Sequence, residues 1–149
     1  MSAFVTAGGG FLIAVLWFDL MFDVQVLGHD GEQLPEPVLG SIAAYYARVT
    51  TAARPMNRLI ALTMLATLAA IVLELTEGLH PAWAPWLSLA LALAPILLAG
   101  SRTVPAAVRL GLRRDGPVGE SRLARAILRQ HLFCIVSIAG LLIVQLTAL

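Results

Sequence analysis

Four apolar segments, each close to the length of a bilayer crossing, constrain this chain more than any other feature. They run over residues 3–27, 57–76, 82–101 and 127–149, and a transmembrane helix needs about 20 such residues. The first stops at Gly28, a natural helix end, and the second has Pro55 placed in a first helical turn. Hydrophobic residues make up 59% of the chain and charged residues 13%. Soluble domains have about 45–50% and about 25%. The spacing predicts an all-α fold: an integral membrane four-helix bundle with helical cytoplasmic extensions, forming a single domain over residues 1–149. The first segment lacks a basic leader region and an A-x-A site, so it reads as a retained span rather than a signal peptide. Its "GGGFLIAV" stretch would let a neighbouring helix approach closely.

Charge placement orients the bundle. There is no lysine, and the ten basic residues are all arginine. Arg48, Arg54 and Arg58 lie in or beside the first loop; Arg102, Arg109, Arg113, Arg114, Arg122, Arg125 and Arg129 in or beside the third. The termini and the second loop have none. The positive-inside rule then puts both long loops in the cytoplasm and both termini outside, in the inner (plasma) membrane of the cell. A net charge of +1 gives no electrostatic case for nucleic acid. The single cysteine, Cys134, excludes an internal disulfide and a cysteine-based zinc cluster.

The loops themselves read as helices. "PEPVLGSIAAYYARVTTAARP" is an amphipathic stretch leading into the second span. Arg102, Arg109 and Arg113 share one helical stripe, and Arg122, Arg125 and Arg129 another; both stripes are expected to face water and the anionic headgroups of membrane lipids. On the second of these helices His131 points away from the arginines, with Glu120, Ala124, Ile127 and Ile138, and is expected to face the bundle.

"LWFDLMFDVQV" then places two carboxylates, Asp19 and Asp23, on one face near the cytoplasmic end of the first span. Charge at that depth calls for inward orientation and a partner. Arg54 and Arg58, entering the next span, would serve as ion-pair partners, and Asn57 would cap or bridge within the cluster. Alternatively, Asp19, Asp23 and His131 form a proton-handling or ligand-binding set, since two close carboxylates tend to share a proton and a carboxylate can orient an imidazole base. A set of this type also suits iron, manganese or zinc, but no E-x-x-H motif of di-iron bundles is present, so no metal and no cofactor is assigned. His29 and His80 fall on opposite loops, which disfavours haem. Tyr45 and Tyr46 read as an interfacial belt, Glu74 as a carboxylate reaching the outer surface, Cys134 as an inert core residue, and Pro95 as a kink opening a small cavity.

This layout resembles the DUF1772 group of small four-span membrane proteins, which includes anthrone oxygenase-like proteins. The resemblance rests on a polar end to the first span, Asn57-Arg58 entering the second, a proline-broken third span running into "APILLAGSRTVPAAVRLGLRR", and the R-x-H element of "LRQHLFCIV" with Arg129 and His131. "DLMFD" departs from the group's pattern. The resemblance implies a helical membrane bundle and cofactor-independent oxygenation of a polyketide-like aromatic. Three functions follow from the sequence: an oxygenase-like membrane enzyme or binder of a hydrophobic small molecule; a proton-coupled small-molecule exporter; and a structural or assembly subunit, as a homo-oligomer or within a larger membrane complex.

Overall fold

In the computed structural model, residues 2–78 and 81–148 are described, Arg54 by its backbone alone. All regular structure among the described residues is helical. Helix α1 covers Ser2–Asp23 and ends in a 3₁₀ turn, Val24–Val26; α2 covers Glu36–Ala47; α3, Arg54–Thr76; α4, Trp83–Leu98; α5, Val104–Leu112; and α6, Gly116–Thr147. Two five-residue π turns, Arg48–Ala52 and Ala99–Thr103, join α2 to α3 and α4 to α5. Four of the helices, α2, α3, α5 and α6, carry proline in their first turn, where the missing N–H costs no helical bond.

Four helical stretches are long and apolar enough to cross a membrane: Ser2–Val26, Pro55–Thr76, Trp83–Leu112 and Gly116–Thr147. The last two outrun the segments read from the sequence. No helix breaker stands between Ser101 and Pro105, so the third continues through its π turn into α5. Helix α6, with 32 residues, is about 48 Å long at 1.5 Å per residue, so its first turns extend past any bilayer-sized span. Helices α1, α6, α4 and α3 pack in a ring, each against the next, while α2 and α5 lie against one another and against α6.

Small residues set the closest approaches. A Cβ on Gly8 would collide with Thr67 of α3, and one on Gly9 would lie 2.8 Å from Leu142 Cδ2 of α6. The glycine run therefore seats α1 against two neighbours at once. Gly111 does the same for α5: its added Cβ would sit 2.7 Å from the Ala47 backbone nitrogen and 3.0 Å from the Tyr46 carbonyl carbon.

The interior has two parts. One, around Val5, Leu12, Ile71, Ala92, Ile138 and Leu141, lies between the four long helices. The other, around Leu34, Leu39, Ile42, Tyr46, Leu110 and Ile127, joins α2, α5 and the start of α6 into a helical cap at the arginine-rich end.

Ion pairs tie the cap together. Arg113 stands at the C-terminus of α5 in the left-handed region, with φ 52°, a conformation costing about 1–2 kcal/mol for a residue with a Cβ. From there it reaches Glu36 of α2 at 3.0 Å and the buried Glu120 of α6 at 2.8 Å. The Arg113 hydrogen bond holds the Glu36 carboxyl below its usual range. Arg122 pairs with Glu32, and Arg109 with Asp115. Arg125 donates to the carbonyls of His29, Gly31 and Glu32, stapling the α1–α2 loop onto α6. Arg109 and Arg122 stay exposed on their stripes while making these pairs. Arg109, Arg113, Arg122 and Arg125 are taken up by carboxylates and carbonyls of the chain itself, leaving Arg102 and Arg129 exposed without a described ion-pair partner.

Candidate functional site

Asp19 and Asp23 both point into the junction between the ring and its cap. Asp23 is fully buried and Asp19 partly so. The i, i+4 spacing on α1 places them one above the other, and α6 brings His131 between them. The buried stripe of α6 runs Glu120, Ala124, Ile127, His131, Cys134, Ile138 and Leu141, so the histidine occupies a core position of a regular amphipathic pattern.

His131 Nδ1 is 2.6 Å from Asp23 Oδ2, and its Nε2 is 3.8 Å from Asp19 Oδ2. Helix α2 supplies the outer partners. Tyr46 Oη donates to Asp23 Oδ1 at 2.6 Å, and Tyr45 Oη donates to Asp19 Oδ1 at 2.7 Å. The result is a chain of five side chains, Tyr46–Asp23–His131–Asp19–Tyr45, drawn from three helices. Phe22 stacks on Tyr45 with ring centroids 4.0 Å apart, and Tyr45 meets Tyr46 edge-on at 5.2 Å. Burial, and then the neighbouring carboxylates, raise the pKa of both phenols above its usual value, so both remain hydrogen-bond donors at physiological pH.

Chemically, this is an oriented imidazole. Asp23, held by Tyr46, accepts from Nδ1–H and so fixes the ring and its tautomer. That leaves Nε2 as the basic nitrogen, facing Asp19 across a gap too long for a direct hydrogen bond. A proton arriving at Nε2 gives an imidazolium between two carboxylates, each steadied by a phenol.

A cleft of about 300 Å³ is lined by Val26, Leu27, His29, Asp30, Arg125 and Arg129 among others, and by none of these five side chains. Val26 follows Asp23 by three residues on the α1 side, and Leu128 precedes His131 by three on α6, so the cleft lies about one helical turn from the chain of side chains.

Among the described residues, Arg58 and Asn57 of the second span do not meet the two aspartates. Arg58 is exposed and makes no ion pair with a described residue. Asn57 Nδ2 donates instead to the Thr50 carbonyl at 3.5 Å, bridging α3 to the π turn that precedes it. The Arg54 side chain lies outside the described residues, as does the whole of His80. Helix α2 supplies the described hydrogen-bond partners of Asp19 and Asp23. Tyr45 and Tyr46, read as an interfacial belt, are the carboxylates' actual partners. One sequence signal marked Tyr46: it follows Leu39, Ile42 and Ala43 at i+7, i+4 and i+3, on the buried stripe of α2. A phenol on such a stripe needs a partner for its hydroxyl. Among the described residues no group of three or more His, Cys, Asp or Glu side chains has a metal-holding arrangement.

A second buried polar group sits at the opposite end of the bundle. Glu74 of α3, expected to reach the outer surface, is fully buried. Gln145 Nε2 of α6 donates to Glu74 Oε2 at 3.0 Å and lies 3.1 Å from Ser88 Oγ of α4.

Comparison with known proteins adds no relative: no family model, no curated protein and no solved structure matches the chain.

Proposed function

We propose that the chain is an integral membrane protein with four spans, its arginine-rich cap in the cytoplasm and both termini outside. The lipid-facing surface supports this reading. Leu62, Leu65, Val136 and Leu146 are each more than 60% exposed, a distribution of large apolar side chains that water disfavours and lipid does not. The arginine distribution supports the orientation. On a Cys134→Ala background, a cysteine at the exposed position Arg114 should react with an impermeant thiol reagent only after the membrane is opened. Labelling from outside in intact cells would reverse the topology.

Within that frame the Tyr46–Asp23–His131–Asp19–Tyr45 chain acts as the acid–base centre of a membrane enzyme. Its substrate is a hydrophobic small molecule. The observation that carries this reading is the 2.6 Å bond from His131 Nδ1 to a fully buried aspartate. It leaves Nε2 oriented as a general base. The DUF1772 resemblance points the same way.

Purification from the native membrane, with identification of co-purifying molecules, tests this. A hydrophobic aromatic retained by the wild type, and released or left unconverted by His131→Ala, is the expected result. Stoichiometric partner proteins with no small molecule would favour the assembly-subunit reading instead.

A further inference from the structure

The acid–base centre does not involve Glu74, yet this is a fully buried carboxyl group in the middle of apolar helices. Its hydrogen-bond accounting is lopsided. Both hydrogens of the Gln145 amide are directed at acceptors, Glu74 Oε2 and Ser88 Oγ. Two buried acceptors, Glu74 Oε1 and Gln145 Oε1, are left without a donor. Each such orphan in an apolar interior is destabilising, because it has given up water without gaining a donor.

Charge is lopsided too. The segments that pack at this end, Ser2–Trp17 of α1, all of α4, and α6 beyond His131, contain no charged residue. Just past the end of α3 stands Glu77, exposed and of the same sign. A bare carboxylate here would be half-satisfied and would have no described cationic side chain beside it.

One hydrogen corrects both faults. The geometry points to a proton-binding site formed by Glu74, Gln145 and Ser88, in which the proton sits on Glu74 Oε1 and is donated to Gln145 Oε1. The carboxylic acid and the primary amide then satisfy one another, acid O–H to amide carbonyl and amide N–H to acid carbonyl, with Ser88 accepting the second amide hydrogen. The site lies on the same helix as His131, fourteen residues further along α6, or about 21 Å. The protein thus has a proton-holding group towards each end of one buried helical face.

Infrared spectroscopy of the full-length protein in phosphatidylcholine vesicles at neutral pH tests this independently of the acid–base centre, whose residues are left intact. The wild type should show a carboxylic-acid C=O band that Glu74→Gln removes. Gln145→Leu should shift that band to higher frequency, because the acid loses its amide partner. Transfer to D2O should shift it as an exchangeable proton requires. Should Glu74→Gln fail to fold, the Gln145→Leu shift decides alone. Loss of carboxylate intensity instead of acid intensity in Glu74→Gln would overturn the proposal. So would an acid band indifferent to Gln145→Leu, one that never responds to D2O, or one seen only after sodium is withdrawn, which would make the ligand a metal cation.

Discussion

Asp23→Ala should cost the folded protein about 3–6 kcal/mol, or about 1.5–3 kcal/mol for each of the two hydrogen bonds its carboxylate accepts. The residue is fully buried and serves two donors, Tyr46 Oη and His131 Nδ1. Without it both polar groups stay in the interior unpaired. Tyr46→Phe removes only one bond to the carboxylate and should cost less, about 1.5–3 kcal/mol. Arg58→Ala, at an exposed side chain with no described ion pair, should fall within about 0.5 kcal/mol of the wild type. Reversible unfolding in mixed micelles gives all three values. An Arg58→Ala loss matching that of Asp23→Ala would restore the ion pair that the sequence pattern invites and refute the tyrosine–histidine assignment.

Gly111→Ala carries the second large effect, and its origin is backbone contact rather than chemistry. The new Cβ would press on backbone atoms at Tyr46 and Ala47, 2.7–3.0 Å away. Neither α5 nor α2 has a flexible side chain there to yield. Overpacking of this kind costs about 1–3 kcal/mol. Because the displaced atoms belong to Tyr46 and its neighbour, the Tyr46–Asp23 bond should be lost with it. Combining Gly111→Ala with Tyr46→Phe should therefore cost less than the sum of the two. Gly10→Ala is the matched control. No atom lies within 4 Å of its added Cβ, so the helix gains up to about 1 kcal/mol from the change of residue. Equal losses at both glycines would show that the α2–α5 contact is not as close as described.

The sequence carried the long-range architecture well where the signal is local. Hydropathy over some twenty residues needs no knowledge of partners, and the four long helices followed from it. The i, i+4 aspartates and the side of α6 opposite its arginines were equally readable, since helical periodicity alone puts Asp19, Asp23 and His131 on buried faces. What failed was pairing. Tyr45 and Tyr46 lie 26 and 23 residues beyond their aspartates, across a loop whose path no periodicity encodes. Arg58 was closer in apparent depth, yet it is exposed and makes no ion pair with a described residue. The arginine stripes were correctly periodic, yet periodicity names a face and not an occupant. Glu32, Glu36 and Glu120 pair with two of those guanidinium groups, Arg122 and Arg113, which periodicity alone does not name. Glu74 was misread for the same reason. Gln145 and Ser88 are 71 and 14 positions away in sequence, and only the fold brings them together. The polar Gln145 in the otherwise apolar last turns of α6 was the one available hint.

The central claim is that Asp23 fixes His131 so that Nε2 is the working nitrogen. Nitrogen-15 NMR of selectively histidine-labelled protein in bilayers tests it most directly, with His131 assigned by its loss in His131→Ala. A protonated Nδ1 whose proton resonance is strongly deshielded, and moves upfield in Asp23→Asn, is the predicted result. An Nδ1 that carries no proton, or a ring whose resonances are the same with and without the Asp23 carboxylate, would contradict it.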